Sequence, residues 1–200
     1  MNISTLPPTP RVILGLMTFG PTVSKGARIT SLETFRTCLS HLTSRGYNEL
    51  DTARVYIDGA QESFTASAGY SDRGFSIATK VYPTTPYSHK PEVLRAALEK
   101  SLKELGTKCV DIFYLHAADR GTPFEETLRE VDKMHKEGKF VQLGLSNFTA
   151  FEVAEVVMTC KANGWVRPSI YQGMYNCLST SSHFSLPLLL SLQPSPLVLI

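Results

Sequence analysis

The chain has 200 residues, 42% hydrophobic, 19% charged and 10% aromatic, which is enough apolar material for a packed core and excludes a disordered tail. Twenty basic against eighteen acidic side chains give a net charge of +2 with the basic residues scattered singly, so no nucleic-acid or membrane-surface stripe is present in the sequence. Cys38, Cys109, Cys160 and Cys177 lie far apart with no Cys-x-x-Cys pair; neither a metal site nor a disulfide framework is expected, and a reducing cytoplasmic setting fits.

From the amino terminus, Met1 to Arg11 carries three prolines and no apolar h-region, so a secretory signal is not expected. A first strand is predicted over Arg11 to Met17. Thr30-Ser-Leu-Glu33 then fits a capping box, with Leu32, Phe35, Leu39 and Leu42 on one helical face and Gly46 placed to stop the helix. Strands follow over Tyr47 to Thr52 and Phe75 to Lys80. The helix predicted over Pro91 to Leu105 has proline at its first position and Gly106 beyond its end.

A fourth strand over Val110 to His116 leads to a second capping box, Thr122-Pro-Phe-Glu125, with Leu128, Val131 and Met134 behind it and Gly138 after. A fifth strand, Phe140 to Ser146, precedes a third box, Thr149-Ala-Phe-Glu152, whose apolar face is Val153, Val156, Val157 and Cys160, with Gly164 as the stop. The last strand is predicted over Ser169 to Tyr175. After Asn176 the character changes: Cys177 to Ile200 holds eight leucines, six serines, three prolines and no charged residue, and residues 177–200 are expected to be an atypical tail outside a domain of residues 1–176. The run is short and broken by Pro187, Pro194 and Pro196, which argues against a membrane span.

Most of these strands read as continuous apolar runs, as strands buried on both faces do, and they recur at about 30 residues, one strand-plus-helix unit. Six units are counted. A (β/α)8 TIM-type barrel limited to about six units and a six-stranded open sheet both fit that length. No Gly-x-Gly-x-x-Gly follows a strand, which disfavours an open sheet gripping a dinucleotide by such a loop.

Asp51, Tyr56, Lys80 and His116 fall at or just beyond the ends of three successive predicted strands, the end where barrel active sites are built. Each has a plainer reading: Asp51-Thr52 as a helix cap, Tyr56 as a loop aromatic, Lys80 as a solvated side chain, His116 as a satisfied core histidine. Three neighbouring strand ends would nonetheless gather all four into one patch. There Lys80 would lower the Tyr56 phenol from its ordinary pKa of about 10, Asp51 would keep Lys80 charged, and His116 would hydrogen-bond a carbonyl oxygen. That set suits carbonyl reduction, which requires a nicotinamide cofactor for the hydride. Ser146, Asn147 and Gln172, on the next two strands, could pair with its carboxamide, or serve only as turn and backbone partners. A Schiff base on Lys80 is the chemical alternative.

The segments Leu50-Asp-Thr-Ala-Arg-Val-Tyr56, Ala78-Thr-Lys-Val81, Asp111-Ile-Phe-Tyr-Leu-His-Ala117, Thr122-Pro-Phe-Glu-Glu-Thr127, Lys136-Glu-Gly-Lys139, Gly144-Leu-Ser-Asn-Phe148, Asn163-Gly-Trp165 and Tyr171-Gln-Gly-Met-Tyr-Asn176 resemble the aldo-keto reductase superfamily, most closely its aflatoxin aldehyde reductase branch. The resemblance implies a (β/α)8 barrel, NADPH-dependent reduction of small aldehydes and ketones, and a catalytic tetrad on Asp51, Tyr56, Lys80 and His116. It also implies carboxamide contacts at Ser146, Asn147 and Gln172. Nothing in it implies a metal, a nucleic acid or a membrane as partner, and a homodimer is compatible with it. The family's last two β/α units, with its pyrophosphate loop and 2′-phosphate contacts, have no counterpart in the resemblance, so weak NADPH binding is expected, and the tail reads as a frameshift, retained intron or misplaced exon boundary. A catalytically silent regulatory protein and a nonfunctional fragment therefore stand beside the reductase. Gly59-Ala-Gln-Glu-Ser63 departs from the family's Gly-x-Ser-Glu order, which predicts a reshaped loop after Tyr56.

Overall fold

The structure is a computed structural model and describes residues 11–174. The expected tail, 177–200, and the end of the last predicted strand at Tyr175 lie outside the described residues. Six strands, β1 (Ile13–Gly15), β2 (Glu49–Asp51), β3 (Ser76–Val81), β4 (Val110–Leu115), β5 (Phe140–Ser146) and β6 (Pro168–Gln172), form one parallel sheet in chain order. Helices α1 (Leu32–Ser44), α2 (Gln61–Ser67), α3 (Pro91–Leu105), α4 (Phe124–Lys136) and α5 (Ala150–Asn163) connect successive strands.

The sheet is curled, and one hydrogen bond shows how far. Gln172 at the end of β6 donates to Asp51 at the end of β2 at 3.3 Å. Four strand spacings of about 4.8 Å would hold them about 19 Å apart in a flat sheet. Length alone fits an open sheet as well, but the resemblance implies a (β/α)8 barrel limited to about six units, and the curled partial barrel has that architecture.

Alternation along the strands divides the core in two. Ile77, Val81, Phe113, Leu115, Leu143, Leu145 and Tyr171 face the helices and join the main core with Phe35, Leu39, Leu98, Val131 and Val156. The opposite face carries a separate cluster of Ala78, Ile112, Tyr114 and Ile170. Gly144 belongs to this inner face for a steric reason: a Cβ there would stand 2.3 Å from Cδ1 of the Tyr114 ring on the neighbouring strand. The apolar faces predicted for α1, α4 and α5 are those that pack inward.

Two of the three predicted capping boxes do not form. At Thr149 the box is complete, with Thr149 Oγ1 accepting from the Glu152 amide and Glu152 accepting from the Thr149 amide at 2.8 Å. At α1 the cap is Ser31, one residue later than expected, so no glutamate stands at the third helical position to answer it. At α4 the cap residue is Pro123 and makes no side-chain cap. Thr122 is occupied elsewhere, its hydroxyl donating to Asp119, which also accepts from the amides of His89 and Gly121. The short α2 had no counterpart in the sequence reading. Its register comes from buried polar pairs rather than an apolar stripe, since Gln61, Glu62 and Thr65 are all buried beside Phe64.

Candidate active site

Asp51 closes β2, Lys80 is the penultimate residue of β3, His116 follows β4, Ser146 closes β5 and Gln172 closes β6. Lys80, fully buried, is the hub. Its Nζ donates to Asp51 Oδ2 at 2.6 Å, to the Thr52 carbonyl at 2.8 Å and to Tyr56 Oη at 3.2 Å. An ammonium has three hydrogens and all three are used. Tyr56 is brought into reach by the turn after β2, where its amide bonds the Ala53 carbonyl. The His116 ring stands edge-on to Tyr56 at 5.9 Å between centroids and edge-on to Tyr82 at 5.4 Å. The structure thus brings together all four residues singled out at the strand ends.

The electrostatics differ from the expectation in one respect. Burial, reinforced by the charge on Asp51, pushes the Tyr56 phenol well above its ordinary range rather than below it. The cation is adjacent, but the phenol has left water, and the loss of hydration opposes the phenolate more strongly. Burial likewise draws the Lys80 ammonium downward, with Asp51 opposing that pull.

His116 is lowered to about 4, first by burial and then by the Lys80 charge, so its ring is neutral in the folded chain at neutral pH. An unfolded histidine takes up its proton near pH 6.5. Between about 6.5 and about 4 the folded state therefore binds fewer protons at this ring, and the linked stability falls as pH drops through that window. Proton NMR of the His116 ring is expected to give a midpoint near 4; a midpoint near the ordinary value would place the ring in water.

Ser146 is buried, and Asn147 adopts a left-handed backbone at φ 55°. The Asn147 amide nitrogen donates to the His116 carbonyl at 2.9 Å and to Ser146 Oγ at 3.0 Å. Gln172 donates to Asp51. The side-chain oxygens of Asn147 and Gln172 accept no hydrogen bond among the described residues, and the Ser146 hydroxyl retains its own proton to donate. This donor and acceptor set matches a primary carboxamide.

Two participants were missed from the sequence. The Thr52 carbonyl takes one of the three ammonium hydrogens, which no side-chain pattern announces. Tyr82, an exposed aromatic one residue beyond β3, walls the His116 ring, and its strand-end position was the available signal.

A parallel sheet curled until a side chain at the end of its sixth strand reaches one at the end of its second, with ionisable side chains gathered at the carboxyl ends of its strands, defines a protein of the β/α-barrel class with a strand-end site. Sequence comparison narrows this. Residues 11–189 match the Aldo/keto reductase family. The chain is 46% identical over 178 residues to Aflatoxin B1 aldehyde reductase member 2 of Rattus norvegicus, covering 87% of this chain and 47% of that protein. It is 45% identical over 174 residues to Aldo-keto reductase family 7 member A3 of Homo sapiens, with 85% and 50% covered, and 38% identical over 177 residues to Aldo-keto reductase pigE of Monascus ruber, with 84% and 52% covered. This chain belongs to the aldo/keto reductase family, and it spans about half the length of the curated relatives it matches. Among the described residues no helix is long and apolar enough to cross a membrane.

Proposed function

We propose that the chain carries the proton-donating and carboxamide-binding part of an NADPH-dependent reductase of aldehydes and ketones, with Tyr56 as general acid. The observation that carries this reading is the saturated Lys80 ammonium. Its third hydrogen is directed at Tyr56 Oη, so the phenol accepts from lysine through a lone pair and keeps its own proton for a substrate oxygen. The raised phenol keeps Tyr56 protonated through the neutral range. It remains a competent donor because an alkoxide, comparable in basicity to hydroxide, is a far stronger base than even this raised phenolate.

Ser146, Asn147 and Gln172 would hold the nicotinamide by its carboxamide. When bound, the reduced ring supplies hydride to the carbonyl carbon. As negative charge grows on the carbonyl oxygen, the neutral His116 offers it an N–H and Tyr56 transfers a proton to it. The product is an alcohol, and the phenolate left behind faces the Lys80 ammonium until solvent restores its proton. Asp51 holds that ammonium in place. A Schiff base on Lys80 is not favoured, because the nitrogen is fully buried and each of its hydrogens is engaged. The three free cysteines among the described residues suit the proposed cytoplasmic setting.

The test is aldehyde-dependent loss of reduced-nicotinamide absorbance by the purified chain, faster with NADPH than with NADH. Nucleotide binding without any aldehyde-dependent turnover would replace the reductase with a silent, cofactor-sensing protein.

A further inference from the structure

The segment that carries Tyr56 is unusually constrained. Directly after it, three residues stand in the left-handed region: Ile57 at φ 49°, Asp58 at φ 57° and Gly59 at φ 85°. A β-branched residue such as Ile57 is an outlier there, and such a conformation persists only where its surroundings over-determine it. Ile57 is buried against Gly20, where a Cβ would come within 2.9 Å of the isoleucine side chain. The turn sends the Gly59 carbonyl back toward the start of the segment, and what it meets is Arg54.

The Arg54 guanidinium grips three groups. Nη2 donates to the Gly59 carbonyl and, at 2.9 Å, to Glu104 of α3, while Nη1 lies against Glu62 of α2 as an ion pair by charge and distance, without hydrogen-bond geometry. Glu62 is fully buried, and its other oxygen accepts from Thr79 Oγ1 at 2.6 Å, on the residue before Lys80. The Arg54 amide itself donates to the Lys80 carbonyl at 2.9 Å. Gly59 suits its left-handed backbone, and a Cβ there would lie 2.9 Å from Arg54 Nη2, so the guanidinium would have to move aside. Both ends of the stretch bearing the phenol are therefore tied through one arginine to the strand bearing the ammonium. The exposed Lys25–Asp58 pair at 2.8 Å adds little by comparison.

We propose that Arg54 is a positioning residue for the proton donor: by clasping the left-handed turn to Glu62 and Glu104 it fixes the Tyr56 phenol within hydrogen-bond reach of the Lys80 ammonium. The inference rests on the reading of Tyr56 as general acid, but part of its test does not. The partners lie around a planar guanidinium whose two terminal nitrogens face different groups, a spread that the single nitrogen of a lysine does not span.

The chain is labelled with fluorotyrosine and the Tyr56 fluorine resonance assigned from Tyr56→Phe. Arg54→Met is expected to shift that resonance in the same direction as Lys80→Met does, because each separates phenol from ammonium. An unmoved resonance in a folded Arg54→Met chain overturns the proposal and leaves Arg54 as a brace between α2 and α3. If Arg54→Met does not fold, Glu104→Ala removes one arm from the partly exposed side and has to move the same signal the same way; no shift there also refutes the clamp. In turnover, Arg54→Met is expected to lower kcat roughly 100-fold with little change in KM, the penalty of a misplaced reacting group. Guanidinium ion in solution should restore part of the rate of Arg54→Ala where ammonium at equal concentration does not. Should Tyr56→Phe turn over normally, the general-acid reading fails while the resonance result for Arg54 stands.

Discussion

Tyr56→Phe is expected to lower aldehyde reduction by about 10²- to 10⁴-fold while leaving nucleotide binding intact, because it removes one oxygen and nothing that shapes the carboxamide site. The substitution deletes the transferred proton and the third partner of the Lys80 ammonium in one step. Single-turnover rates with a saturating aldehyde separate the chemical step from binding. The wild-type rate should carry a second signature. A donor must be protonated to act, and burial with the nearby Asp51 charge holds Tyr56 protonated to higher pH than an ordinary phenol. Loss of reduction on the alkaline side near pH 10 should therefore report the Lys80 ammonium, which burial draws downward, and not the phenol, although a solvated tyrosine at its ordinary pKa of about 10 would already be half ionised there. A Tyr56→Phe chain that reduces aldehydes at the wild-type rate would remove the phenol from the mechanism.

The strand-end placement of Lys80 and His116 was legible because strands buried on both faces print themselves as apolar runs, so an ionisable residue closing such a run stands out, whereas Asp51 closes the polar run Tyr47-Asn-Glu-Leu50 and was legible only from the strand-plus-helix spacing. Tyr56 was legible only by its distance from the second strand. The same signal failed where local and tertiary hydrogen bonding compete. Thr122 has the spacing of a cap, yet Asp119 gathers its hydroxyl together with two backbone amides from across the loop, a choice no local pattern encodes. Charge arithmetic also misjudged the phenol, since a neighbouring cation can be inferred from sequence but the depth of burial that outweighs it cannot. Arg54, Gln61 and Glu62 pass in sequence for an ordinary polar loop. In the structure Gln61 is buried, accepting from Thr52 Oγ1 and donating to Thr65 at 2.7 Å, so its side chain braces the residue whose carbonyl holds Lys80. The departure from the family order at this point is thus an internal polar contact, which only the fold of α2 against β2 and β3 makes visible.

Lys80→Met is expected to destabilise the chain by about 3 to 5 kcal/mol, the cost of leaving a buried carboxylate without its cation. Asp51 would retain the long Gln172 contact at 3.3 Å, a neutral donor in place of an ammonium at 2.6 Å, while its other oxygen is already without a hydrogen-bond partner. Asp51→Leu alone should be costly for the converse reason, stranding Lys80 in a site where burial already opposes its charge. Combining the two changes should recover much of the loss, because a buried ion pair replaced by apolar side chains of similar size is often neutral or stabilising. Urea unfolding of the four chains measures this as a coupling energy, and additive single effects would show that the two groups do not form a buried pair. Activity should not follow stability: the double variant, however well folded, lacks the ammonium that orients Tyr56 and is expected to be as inactive as either single one. Recovery of folding without recovery of reduction would assign the pair to chemistry, since an apolar replacement would then serve the fold as well as the charges do.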